Sequence, residues 1–291
     1  QRLLGGGAAP ELSASLAAPT PQRHAVVWRW EKHSQMHASP WICMSSSLNK
    51  PSVERLRQAE AIDEAIVMVS RANQDLGLCK RLLEGHKRVL EAYGIKNLSS
   101  FRTDWFRRDD VLVIAVLSGD GERVLAGARL QPGLVANDFP LYQAVGLKDP
   151  EVGNFLERII PEGAYEMNAL WNSIELAGMG MGSEFLIQVA MAAMPLIEAK
   201  HLVALTSPVT RRWREKHGWH LCSELGDEGY FVYPKDTLKA TVEHYVHPDY
   251  EAHVAPEVLD LMTSIRRRPA GVTTHVHGAK GQLNIRLNLT L

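Results

Sequence analysis

The sequence predicts an α/β (α+β) chain, a mixed central sheet flanked by helices, and three features carry that expectation. Residues 111–117 form a continuous β-branched and aliphatic run that Ser118-Gly119-Asp120-Gly121 joins to a second run at 124–130, the pattern of a strand hairpin. Residues 165–171 alternate as a strand and run into Gly178-Met179-Gly180-Met181-Gly182; 183–197 is then an apolar helix with no acidic residue between Phe185 and Leu196. A buried strand at 202–205 and a helix at 207–217, opened by Ser207-Pro208 and closed by Gly218-Trp219, complete the order strand, loop, helix, strand, helix.

The remaining elements are read in chain order. Ser52 stands as an N-cap, and Leu56, Ala59, Ile62, Ile66 and Val69 recur near helical spacing, which predicts a first helix over 52–72. Leu78, Leu82, Leu83, Val89 and Leu90 predict a second helix, stopped by Gly94. Pro132, Pro140, Pro150 and Pro161 mark 131–163 as a long connection with a short helix at 152–160, the kind of segment that walls a substrate site. In the strand 165–171, Tyr165, Met167, Ala169 and Trp171 are expected on one face and Glu166, Asn168 and Leu170 on the other. Residues 230–233 supply another strand, and Leu283, Ile285, Leu287 and Leu289, at period two, an added edge strand. Arg266, Arg267 and Arg268 read as a solvated helix end, where cations suit the dipole.

Composition narrows the function classes. The 291 residues are 45% hydrophobic and 22% charged, as in a soluble globular chain with a sizeable core. The 32 Lys and Arg against 33 Asp and Glu leave a net charge of -1, so there is no long-range field to hold nucleic acid or an anionic membrane. Cys43, Cys79 and Cys222 are isolated, without CxxC spacing, which points to a reducing, cytoplasmic setting. The longest apolar stretch, 185–197, is broken by Gln188 and Pro195 and falls short of the roughly 20 residues that cross a bilayer. Residues 1–50, rich in Ala, Gly, Pro and Ser and without period, read as an unstructured extension, with Met44 a candidate natural start. Residues 51–245 then form the main domain, and 246–291 a C-terminal helix and tail.

A strand that runs through Gly178, Gly180 and Gly182 into a helix presents bare main-chain N–H groups at the positive end of the helix dipole, a seat for an anion. Glycine lets phosphate oxygens approach the backbone and permits positive φ. The same triplet also fits a flexible turn whose glycines ease packing. Its GxGxG spacing is not the GxGxxG of a dinucleotide fold, and no Lys-Ser/Thr pair follows, which leaves a nucleotide-binding domain the lesser reading.

At this point the chain resembles the GNAT superfamily of acyl-CoA N-acyltransferases, whose fourth strand ends in an Arg/Gln-x-x-Gly-x-Gly/Ala loop. Ala177-Gly178-Met179-Gly180-Met181-Gly182 occupies that motif, and Arg214-Glu215-Lys216-His217-Gly218-Trp219 resembles the family's Tyr-x-x-x-Gly-Phe ending. The likeness spans residues 52–235 in element order. It implies an acyl-CoA N-acyltransferase-like fold and transfer of an acyl group, most simply acetyl, from acetyl-CoA or another acyl-CoA to a small-molecule amine. The amine would attack the thioester directly, without a metal.

By position, the resemblance implies that the backbone of Leu170, Trp171 and Asn172 pairs with the pantetheine arm and that the amides from Gly178 to Ser183 hold the pyrophosphate. Glu166, six residues before Asn172, is the implied general base; read alone, it is equally an ordinary strand carboxylate in an ion pair. The chain departs from the family at Ala177 (Arg or Gln), Arg214 (the Tyr that protonates the thiolate) and Ser207 (frequently Asn). Arg214 stays charged and suits a phosphate, so thiolate protonation falls to water or Tyr230. These departures also fit a donor carried on a carrier protein, or a catalytically silent domain that binds an acyl thioester or a partner protein.

Other clusters are weaker. His244, His247 and His253, with Glu243 before them and Asp249 and Glu251 between them, lack HExxH order and are split by Pro248, so they are expected as surface histidines of a polar linker, with no metal. Met167, Met179, Met181, Met191 and Met194 gather around the glycine loop as core filling or as the wall of an acyl tunnel. Cys222 has no paired His to make it an acyl carrier.

Overall fold

The computed structural model describes residues 62–91, 95, 99–208 and 216–291. The expected 1–50 extension, Cys43, Gly94 and Arg214 lie outside the described residues. So does the first part of the helix expected over 52–72, and its end is a strand, β1 (Glu64–Arg71). Ala65, Val67 and Val69 are buried at every second position. Ile66 and Val69 fit a helical period as well, but β-branched side chains at 66, 67 and 69 pack better on a pleated surface than around a helix.

Helix α1 (Leu76–Glu91) follows, then the expected hairpin of β2 (Leu112–Ser118) and β3 (Val124–Pro132). The proline-rich connection holds two helices, α2 (Pro140–Val145) and α3 (Glu151–Ile159). Pro140 opens α2, where a missing N–H costs nothing. Strand β4 (Ala164–Asn172) leads through the glycine loop into α4 (Ser183–Ala193), and β5 (His201–Thr206) returns. After the helix end at Lys216 and His217 come β6 (His220–Leu221), β7 (Tyr230–Val232) and β8 (Lys239–Val246). Helix α5 (Pro256–Arg267) and the hairpin of β9 (Ala270–Gly278) and β10 (Gly281–Thr290) end the chain.

These strands make one 10-stranded mixed sheet in the order β6-β8-β5-β4-β3-β2-β1-β10-β9, with β7 also paired to β8. Residues 270–290, expected as part of a tail, therefore extend the same sheet. Strand β10 is not the edge strand that its alternation suggested. It lies between β1, to which it is parallel, and β9, and its leucines and Ile285 are buried. Strand β8 replaces the expected polar linker: His244 stacks on His201, with Nδ1 of His201 3.0 Å from Nε2 of His244. Arg266 is likewise no solvated end, since it pairs with Glu251 at 2.6 Å and donates to the carbonyl of Met191.

Helices cover both faces. One face packs on α4 and α5 through Leu112, Ile114, Val116, Met191 and Met262. The other packs on α1 through Val113, Ala115 and Leu82, and on α2 and α3 through Leu141, Leu156 and Val203. Met179, Met181, Met191 and Met194 fill the α4-side core, and Met167, in the same core, also lines the cavity beside β4.

Candidate active site

The site begins with an irregularity in β4. Between the pairs Gly127↔Trp171 and Arg129↔Asn168, β3 advances two residues and β4 three, so β4 carries one extra residue. Ala169 absorbs it with φ at 51°, a left-handed conformation that costs an alanine energy. The bulge also reverses the alternation. Met167 faces the α4 side, whereas Trp171 packs under α1, against Leu78, Cys79 and Leu82. The expectation that Met167 and Trp171 share a face fails for this reason, since an inserted residue shifts every later side chain to the opposite side.

Beyond the bulge β4 has no strand neighbour on its β5 side. The two strands are parallel and pair only at Ala164, Tyr165 and Glu166 with His201, Leu202 and Val203; after that they splay apart. The gap opens into a cavity of about 1330 Å³, its open mouth included. Residues 167–170 of β4 and 204–206 of β5 form its two rails. His86 of α1 and Leu141 of α2 line it on one face of the sheet, and Ser183 and Ile187 of α4 on the other. The cavity is thus walled by helices from both faces of the sheet.

Glu166 sits at the closed end of this wedge. It is 2% exposed, and its Oε2 accepts the Leu141 N–H at 2.8 Å. Burial pushes its carboxyl up to about 8, against the opposing pull of that hydrogen bond and of the Arg129 charge. A carboxylate tuned to that range can take a proton from an ammonium near neutral pH. The expected ion-pair reading finds no salt bridge at Glu166 among the described residues.

The glycine loop is a built turn, and it is not bare. Gly178 and Gly180 have φ of 83° and 84°, which explains glycine there, while Met179 and Met181 anchor the loop in the core. The tip of the β9–β10 hairpin lies against it. A Cβ on Gly180 would come within 2.4 Å of the His277 carbonyl oxygen, and one on Gly278 within 2.2 Å of the Gly178 oxygen. Lys280 N–H donates to Gly178 O at 2.9 Å.

Two of the amides expected to hold a pyrophosphate are committed within the protein. Met179 N–H donates to Leu176 O. Asn172, with its amide oriented to satisfy both its atoms, accepts from the Ser183 N–H and hydroxyl, each at 2.9 Å, and so ties the end of β4 to the start of α4. Ala177 closes the short turn before the loop by donating to Ile174 O. Gly182 is extended, with φ at -108°, as the residue before α4.

Of the other expected site residues, Leu170 and Ser207 line the cavity; Trp171, Asn172 and Tyr230 do not. Tyr230 lies beneath Lys239 on β7, and the phenol on the cavity wall is Tyr233. Cys222 is buried with its thiol pushed far up by desolvation, which suits no nucleophile. Among the described residues no group of three or more His, Cys, Asp or Glu is placed to hold a metal. No helix among them is long and apolar enough to cross a membrane.

The sequence reading missed Arg129 and His86, and named His217 only within the 214–219 motif and Glu243 only within the histidine cluster. His86, His217 and Glu243 line the cavity, and Arg129 is 1% exposed on the strand next to Glu166. Burial and the Arg129 charge push His86 down to about 3, so it is a neutral wall at ordinary pH. The available signal was a charge inside an apolar strand: Arg129 interrupts Val-Leu-Ala-Gly-Ala-Arg-Leu.

No protein-family model matches the chain, and no curated protein matches it. Among solved structures it is similar to FeeM, an N-acyl amino acid synthase from uncultured soil microbes, at 12% identity and a TM-score of 0.49, covering 65% of this chain and 94% of that one. A putative N-acetyltransferase from Lactobacillus plantarum matches at 12% identity and 0.43, covering 63% and 98%. BjaI, a CoA-dependent acyl-homoserine lactone synthase, matches at 11% and 0.41, covering 71% and 91%. At such identities and scores the likeness by itself assigns neither donor nor acceptor.

Proposed function

We propose that the chain is an N-acyltransferase of GNAT type that moves an acyl group from a pantetheine thioester to the amine of a small molecule. The observation that carries this reading is the wedge between β4 and β5, lined from both faces of the sheet, with the buried carboxyl of Glu166 in its wall. The free rail of β4 near Leu170 offers main-chain groups to an extended amide arm, as an added strand would use them, and polarises the thioester carbonyl. Glu166 takes the proton of the amine entering from the α1 and α2 face. The amine nitrogen bonds to the carbonyl carbon, the carbon–sulfur bond breaks, and the thiolate is protonated by water or by Tyr233 on the wall.

Incubation with acetyl-CoA and with longer acyl-CoAs, against a panel of amines, tests this by release of free thiol. Amine-dependent thiol release that Glu166→Gln abolishes is the expected result. Binding of the thioester with no release for any amine favours the catalytically silent reading instead.

One observation favours a second donor. The hairpin tip lies against Gly178 and Gly180, where the resemblance would seat a diphosphate, and Met179 and Ser183 have spent their amides. A pantetheine arm on a carrier protein needs the β4 rail but not the diphosphate seat. Faster turnover with an acylated carrier protein than with the matching acyl-CoA supports this donor, and equal or slower turnover removes it.

A further inference from the structure

Beside the cavity, four buried polar residues form a block with unsatisfied hydrogen-bonding atoms. Arg129 and Gln131 are two apart on β3, and Asn168 and Glu166 are their partners across the strand pair. All four are buried, Arg129 at 1% exposure and Glu166 at 2%. Nε and Nη1 of Arg129, Oε1 of Gln131, and both Nδ2 and Oδ1 of Asn168 have no hydrogen-bond partner among the described residues. A buried polar atom left unpaired is costly, so five such atoms side by side call for a ligand that satisfies them.

The block faces two hollows that adjoin at Pro140. Glu166 and Asn168 line the wedge cavity, while Arg129 and Gln131 line a smaller, polar cleft of about 450 Å³. The other arginines of that cleft are engaged: Arg108 with Asp110 and the Pro132 carbonyl, Arg102 with Asp104. Arg129 lies under the Trp105 ring at 4.5 Å, and the carboxyls near it are Glu166 and Asp104, the latter already bridged to Arg102. The guanidinium keeps its charge, and Glu166, protonated over much of the neutral range, does not balance it.

We infer that this block recognises the acceptor, and that the acceptor is an amino-carboxylate, with its carboxylate held by Arg129 and the Asn168 amide and its amine presented to Glu166. This rests on the acyl-transfer reading and narrows it from any amine to amines that carry an acid. Arg129 lies opposite Asn168 and Glu166 opposite Gln131, so Arg129 and Glu166 are diagonal neighbours on one face of the strand pair, about 7–8 Å apart, a span that their long side chains and a small amino-carboxylate between them can close.

The test is binding of matched pairs to the full chain, without any donor: leucine against 3-methylbutylamine, and phenylalanine against phenethylamine, by thermal shift and calorimetry. The amino acid of at least one pair is expected to bind, and its amine to bind at least about tenfold more weakly. Arg129→Gln and Arg129→Met are expected to remove that preference while the unliganded melting temperature is kept or raised, because a buried unpaired charge is lost. Asn168→Leu serves as a second variant should either arginine variant fail to fold, and is expected to weaken the same ligand. Equal binding within each pair, binding of the amines alone, or no binding of any amino acid overturns the inference. Thiol release with plain amines but not with amino acids would sink it and leave the acyl-transfer reading standing.

Discussion

The Glu166 carboxylate accepts the backbone N–H of Leu141 at 2.8 Å, so the closed end of the β4–β5 wedge is fastened to the first turn of α2. This one bond fixes the carboxyl's direction and pulls its proton affinity down, against the stronger upward push of burial.

Activity is expected to rise with pH and level off above about 8, because Glu166 must lose its proton before it can accept one. Glu166→Gln should lower kcat by about a hundredfold or more and remove that limb from the profile. Initial rates between pH 6 and 9.5 check both.

Stability should move the other way. The folded-state pKa of Glu166 is raised from 4.5 to about 8, so within that window the folded chain holds a proton that the unfolded chain has released. Stability therefore falls as pH rises, by up to about 1.4 kcal/mol per pH unit from this group. In urea titrations across this range Glu166→Gln should flatten the decline; an unchanged slope would show the carboxyl ionised in the fold.

The acid limb belongs to buried histidines. His86 and His244 are pushed from 6.5 down to about 3 and about 4, so below pH 6.5 the unfolded chain binds protons that the folded chain refuses. Stability is lost as pH falls through that range, again by up to about 1.4 kcal/mol per unit for each histidine. His86→Leu should shallow the loss measured by denaturant titration at pH 4 to 6.5.

Helix α1 rests on β4 through a missing side chain. A Cβ on Gly85 would lie 2.2 Å from Cη2 of Trp171. Gly85→Ala should cost about 1–3 kcal/mol despite alanine's better helix propensity, and shift the tryptophan emission. An unchanged melting curve would place Trp171 elsewhere.

The glycine loop and the last hairpin should loosen together. Gly180→Ala forces a side chain into a left-handed position and against the His277 carbonyl, a cost of about 2 kcal/mol or more. Hydrogen exchange over 270–290 is expected to quicken in this variant, and exchange as slow as in the parent would detach the hairpin from the loop.

Local pattern made some of this legible. The 112–132 hairpin, the Gly-Met-Gly-Met-Gly turn and the α4 helix rest on neighbouring residues, and each formed where the sequence predicts it. Strand β1 was misread because 65–69 is apolar throughout and carries no clean period. Strand β8 was missed because Glu243 and His244 are polar yet face inward, a choice made by partners on β5 and in the cavity wall. Glu166 could be named from the resemblance, whereas Arg129 left only the weaker mark of a charge inside an apolar run, which does not say that the charge is enclosed. The bulge at Ala169 has no sequence mark at all, because an alanine with positive φ is imposed by the fold around it.

The parallel pairing of β1 with β10 joins residues 64–70 to 284–290. During synthesis the outer rim of β1 thus stays unmatched until more than two hundred further residues have been translated, and the sheet closes only when the last of those strands has cleared the ribosome. A premature stop or a bulky fusion near residue 290 would consequently be felt at the opposite terminus, as an open template inviting other chains to pair.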